Sequence, residues 1–131
     1  MLRVMMRSLP LLSRLAKRLP THTRGALAEK AALVSYLIRG YTPLAVPQHL
    51  AQTDLTLRRG HLILLVEVKY RTTRERGHLA LTPTQKARLN RQARSVAARY
   101  PACTVRLEIF LLFPHWPFYQ CIPVRDASSP C

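Results

Sequence analysis

The segment Thr53-Asp54-Leu55-Thr56-Leu57-Arg58-Arg59-Gly60-His61-Leu62-Ile63-Leu64-Leu65-Val66-Glu67-Val68-Lys69-Tyr70 decides the fold of this chain. Two runs of strand-forming residues, Thr53–Arg58 and His61–Lys69, are broken only by Arg59-Gly60, a short hairpin signal. With Arg59-Gly60 as a two-residue turn, Arg58 faces His61 and Asp54 falls opposite Leu65. Alternation then sets Asp54 and Glu67 on one face as diagonal neighbours, with Cα atoms roughly 7–8 Å apart. Lys69 points to that same face, and Val66 and Val68 point into the opposite layer.

Upstream of the hairpin, a helix is expected from Thr23 or Arg24 to about Arg39, with Leu27, Ala31, Val34 and Ile38 on one side and Gly40 ending it. A strand follows over Thr42–Val46, where Pro43 and Pro47 indicate an edge or irregular position. Downstream, Tyr70–Leu81 reads as a basic loop. Thr82-Pro83-Thr84-Gln85 then starts a second helix: Thr as N-cap, Pro at the first helical position, Gln completing a capping box. It runs to about Arg99, burying Leu89, Ala93, Val96, Ala97 and Tyr100 and turning Arg88, Arg91 and Arg99 outward. Thr104–Phe113 and Phe118–Val124 are the last two strands. A strand–helix–strand crossover after Lys69 makes the Thr104–Phe113 strand parallel to His61–Lys69. The fold class is α/β: a mixed β-sheet flanked by helices, in α-β-β-β-α-β-β order.

Residues 1–23 contain no acid; Leu11, Leu12, Leu15 and Leu19 line one helical face opposite Arg14, Lys17 and Arg18. An organelle-targeting leader has this character, and so does a basic amphipathic extension lying on the domain or on a phosphate backbone, which is the reading adopted. The domain proper spans 24–126, and 127–131 form a C-terminal tail.

The 131 residues suffice for one domain with a modest core, and 48% hydrophobic residues is a globular composition. The 21 Lys+Arg against 6 Asp+Glu leave a net charge of +15, which selects polyanionic partners: nucleic acid first, then an anionic membrane surface. Three cysteines without a CxxC give neither a disulfide framework nor a zinc cluster, and fit a reducing, cytoplasmic compartment. The five histidines show no ligand pairing. No apolar run approaches the ~18–20 residues of a membrane-spanning helix, so no transmembrane segment is expected.

So few acids make their positions informative: Glu29, Asp54, Glu67, Glu75, Glu108 and Asp126. Two carboxylates as close as Asp54 and Glu67 need a reason to coexist, and a hard cation such as Mg2+ supplies one, taking their oxygens while keeping several waters. Such an ion polarises a scissile phosphate and acidifies bound water, and Lys69 can stabilise the charge that develops. An ExK alone is common at polar strand ends; the same-face Asp across the hairpin raises its specificity. Glu29 reads equally as an outer metal ligand or a solvated helix residue, and Gln85 is already explained by its cap. The loop cations Arg71, Arg74 and Arg76, with Lys86, Arg88 and Arg91 of the second helix, are the candidate contacts to a nucleic-acid backbone.

At these residues the sequence resembles the YraN family. Gly25-x-x-x-Glu29-x-x-Ala32, Leu37-x-x-Gly40-Tyr41, Thr53-Asp54-Leu55 and Leu65-Val66-Glu67-Val68-Lys69-Tyr70-Arg71 carry the likeness, which covers about Arg24 to Asp126. That family is regarded as predicted bacterial endonucleases, distantly related to archaeal Holliday-junction resolvases. The resemblance implies a restriction-endonuclease-like PD-(D/E)xK fold, with Asp54, Glu67 and Lys69 on the motif positions and Glu29 on the N-terminal acidic one. It further implies a Mg2+- or Mn2+-dependent cut in DNA, branched or recombination intermediates included, by a chain that pairs as a homodimer. Ala51-Gln52-Thr53-Asp54 stands where the family has Gly-Glu-Ile-Asp, so Gln52 replaces an acid. That replacement keeps an alternative open: a nucleic-acid-binding protein on a nuclease fold with impaired chemistry. A third reading, membrane or partner docking, rests on residues 1–23 alone.

Overall fold

Leu62–Tyr70 (β3) is apolar on both sides of its pleat, and a strand of that kind belongs in the middle of a covered sheet. In the computed structural model, which describes residues 21–72, 81–115 and 118–124, it is the third of five strands. The elements run α1 (Thr21–Ile38), β1 (Thr42–Pro43), β2 (Leu55–Arg59), β3, α2 (Pro83–Arg99), β4 (Thr104–Leu112) and β5 (Tyr119–Val124). The sheet order is β1-β2-β3-β4-β5. Only β3 and β4 pair in parallel, the α2 crossover between them requiring it; the other pairs are antiparallel. The expected α/β mixed sheet flanked by helices is what forms, in the expected order.

Alternation along β3 sorts the core into two layers. Leu64 and Val66 join Leu57, Phe110 and Leu112 beneath Ala28, Ala32 and Tyr36 of α1. Ile63 and Leu65 join Leu107 beneath Leu89 and Val96 of α2. Both outer strands carry a proline, Pro43 in β1 and Pro123 in β5, where a missing N–H breaks no ladder. Among the described residues no helix is long and apolar enough to cross a membrane. The expected helix within residues 1–20, the end of the 24–126 domain and the 127–131 tail lie outside the described residues.

Four local expectations need correction. The hairpin turn is Gly60-His61, with Arg59 paired to Leu62, rather than Arg59-Gly60 with Arg58 paired to His61. Gly60 takes φ +60° at the first turn position, where a hairpin favours glycine. The buried face of α1 is Ala28, Ala31, Ala32, Ser35 and Tyr36, whereas Val34 is 42% exposed. Alanines let the helix lie close on the sheet, and Tyr36 bridges the remaining distance, its hydroxyl donating to Glu108 Oε1 at 2.6 Å. In α2, Leu89 and Val96 are buried as expected, but Ala97 is exposed. The first strand stops at Pro43 instead of reaching Val46, because the chain leaves the sheet for a turn in which Leu50 N–H donates to Pro47 O.

Candidate active site

The β2–β3 ladder ends at Leu55↔Val66, and its next step falls at Asp54 and Glu67. Asp54 is therefore level with Glu67 and not diagonal to it, since the turn lies one residue later than expected. A register change of two keeps every side chain on its face. Asp54 adds no backbone rung there; its Oδ2 accepts the Val68 N–H at 2.8 Å, fixing the carboxylate beside the end of β3.

Glu67 is only 6% exposed, one of two buried polar side chains among the described residues. Lys69 Nζ stands 4.0 Å from its Oε2, and Arg88 Nη2 of α2 stands 3.7 Å from its Oε1. At those separations the cations are charge neighbours rather than hydrogen-bonded partners. The Glu67 carboxyl is nevertheless raised above its ordinary pKa. Burial is the main cause, the Asp54 charge adds to it, and Lys69 and Arg88 offset it only in part. Glu29, midway along α1, reaches the same place: burial, the Asp54 charge and a hydrogen bond shared with Asp54 raise its pKa as well. Three of the chain's six acids thus meet at one end of the sheet.

The remaining sequence candidates distribute unevenly. Arg71 extends β3 past this cluster, its backbone N–H donating to Leu112 O and its guanidinium to Tyr70 O at 2.9 Å. Lys86 lies half-buried in the first turn of α2, and Arg91 is exposed on the same helix. Arg74 and Arg76 lie outside the described residues. Arg88 corrects the expectation of a purely outward cation, because it leans over Glu67. The crossover explains this: α2 begins near the C-terminal end of β3, so its first turns overhang that end.

A divalent ion has a chemically suitable donor set here. Among the described residues no three or more His, Cys, Asp or Glu side chains form a ready cage. Hard, octahedral cations are ordinarily held by one or two carboxylates plus water and substrate oxygens. Asp54 and Glu67 meet that requirement, and the mutual repulsion that raises Glu67 is what a cation relieves.

A mixed five-stranded sheet, one helix on each face, and an Asp–Glu–Lys cluster at the end of its central strand define an α/β protein compatible with the restriction-endonuclease-like architecture. No family model matches the chain. It is 39% identical over 108 residues to a UPF0102 protein of Methylorubrum extorquens, covering 78% of this chain and 84% of that protein. A UPF0102 protein of Parvibaculum lavamentivorans is 32% identical over 121 residues, 88% of each chain. The chain belongs to the UPF0102 family.

Proposed function

We propose that the chain is a metal-dependent endonuclease that hydrolyses phosphodiester bonds in DNA, branched and recombination intermediates being the substrates that the YraN resemblance suggests. The observation that carries this reading is the meeting of Glu29, Asp54 and Glu67 beside Lys69 at one end of the sheet, in a chain with only six acids. Asp54 and Glu67 would hold Mg2+ or Mn2+, which when bound supplies Lewis-acid activation of the phosphate and of water. Asp54 is kept in place by the Val68 N–H. Glu29, whose raised pKa favours keeping a proton, can pass one to or from water at the mouth of the site. Lys69 and Arg88 lie close enough to the carboxylates to meet a phosphate seated there and to stabilise its added negative charge. Arg71, Lys86 and Arg91 continue the positive surface along which a backbone would lie. Cutting both strands of a duplex with one such site per chain calls for two copies, hence a homodimer.

The test is incubation with duplex, single-stranded and four-way-junction DNA, and with RNA, with and without Mg2+ or Mn2+. Asp54→Ala and Glu67→Ala are expected to abolish metal-dependent cleavage while retaining DNA binding. Cleavage persisting in both variants overturns the reading. Salt-sensitive binding without metal-dependent cleavage in the unmodified chain selects the impaired, binding-only alternative to which Gln52 points.

A further inference from the structure

The end of the sheet opposite the carboxylates carries the reverse charge. Two open grooves lie there. One, of about 370 Å³, runs between α2 and the start of β4, with Asn90 and Arg94 on its helix wall and Val105 and Leu107 on its floor. The other, of about 310 Å³, lies at the hairpin end and is lined by Arg59, His61, Leu62 and Thr104. Arg106 borders both and joins them.

Among the described residues, these cations are not paired with carboxylates. Among the described residues both ion pairs are at Glu67, at the other end of the sheet. Glu108, near Arg106 in sequence, accepts from Tyr36 beneath α1. Arg94 and Arg106 are exposed. Arg59 is held by neutral partners, donating to Arg39 O at 3.0 Å and lying 4.3 Å over the Tyr41 ring. Its position is fixed while its charge stays available.

We infer that these grooves are a second phosphate-binding site, which holds the nucleic-acid backbone away from the reacting bond. The inference rests on the nucleic-acid half of the function proposed above, not on its chemistry. The spacing supports one continuous track. Arg94 follows Arg88 by six residues, about 9 Å along the helix axis. Leu62, at the hairpin groove, precedes Glu67 by five residues, about 17 Å along the strand. At a rise of about 3.4 Å per base pair, a duplex with one phosphate at Glu67 meets the far groove roughly five pairs away. An anionic lipid surface is the less suitable partner, since the cations line concave grooves.

The experiment is duplex binding by fluorescence anisotropy in EDTA, at several salt concentrations, with a duplex of 20 base pairs. Arg94→Ala/Arg106→Ala is expected to weaken binding of the duplex about tenfold and to lower the slope of log K against log salt by about 2, at roughly 0.9 per lost phosphate contact. Arg94→Lys/Arg106→Lys should keep the slope, and unchanged melting curves would show that the double alanine variant is folded. An unchanged slope and affinity in that variant overturns the inference, as does groove-dependent binding to phosphatidylserine vesicles with none to duplex. Because cleavage plays no part in the readout, the two proposals fail separately. A chain that binds with a groove-dependent slope yet never cuts defeats the nuclease reading alone. A chain that cuts normally, with binding indifferent to Arg94 and Arg106, defeats the track alone.

Discussion

Glu67 has cations on both oxygens, at 3.7 and 4.0 Å, and still holds its proton more tightly than an ordinary glutamate. Burial and the Asp54 charge outweigh Lys69 and Arg88 because neither cation touches it closely and Arg88 is itself 44% exposed. The consequence for stability has a definite sign. A carboxyl whose pKa is raised on folding binds more protons in the native state, so stability falls as pH climbs from the ordinary value through the raised one. Above that window the full penalty applies. Glu67→Gln should therefore raise the Tm of the metal-free protein at pH 7 by a few degrees, roughly 4 °C for each ~1 kcal/mol recovered. The gain should vanish near about pH 4, where glutamate is protonated in either state. Mg2+ or Mn2+ should raise the Tm of the unmodified chain and leave Glu67→Gln unmoved. Thermal melts across pH, with and without the ion, check both, and a Tm lowered by Glu67→Gln at pH 7 would contradict the assigned strain. Tyr36 makes the contrasting case: its buried hydroxyl is satisfied by Glu108, so Tyr36→Phe should cost about 1–3 kcal/mol in denaturant unfolding.

At the scale of elements, α2 follows local rules that can be read directly. Thr82 Oγ1 accepts the Gln85 N–H at 3.2 Å, and Gln85 Oε1 accepts the Thr82 N–H at 3.0 Å. Thr82→Ala should destabilise by about 1 kcal/mol and lower helix content measurably by circular dichroism. That helix start, the strand–helix–strand crossover and the edge position signalled by Pro43 were legible because each depends on neighbours in sequence. The face shared by Asp54, Glu67 and Lys69 was legible for a subtler reason: the turn was misplaced by one residue, which slides the register by two and preserves parity. What local pattern could not give was set by close packing between distant segments. Helix α1 offers leucine, valine and isoleucine to a periodicity argument, yet buries alanines, because the sheet beneath it demands close approach and Tyr36 fills the rest. The lean of Arg88 onto Glu67 belongs to the same class, since it depends on where the crossover sets α2 down. If the small face is what lets α1 dock, Ala32→Leu should overpack the layer against Leu64 and Phe110 and cost about 1–3 kcal/mol. Val34→Ala, on the exposed side, should change denaturant midpoints little by comparison.

For the molecule as a whole, the net charge of +15 over 131 residues sets two free energies against one another. Like charges repel within the folded chain, and added salt screens that repulsion. The same screening weakens any bound polyanion, whose affinity comes largely from releasing condensed counterions. Three of the four described carboxylates stand at one end, leaving the long basic remainder with few internal partners to compensate. Raising NaCl from 50 to 200 mM should therefore stabilise the free protein while loosening its complex with DNA. Phosphate contacts from Arg71, Lys86, Arg88 and Arg91 alone give a log–log slope near −4, about a hundredfold loss of affinity over that range. A duplex added at low salt should in turn raise the Tm by mass action, and that increment should shrink as salt increases. Paired thermal melts and anisotropy titrations along one salt series read both trends. A free-protein Tm that falls with NaCl would show that charge repulsion does not limit this fold. An affinity indifferent to salt would remove the polyanion as its partner, and with it the reason for so basic a surface around so few acids.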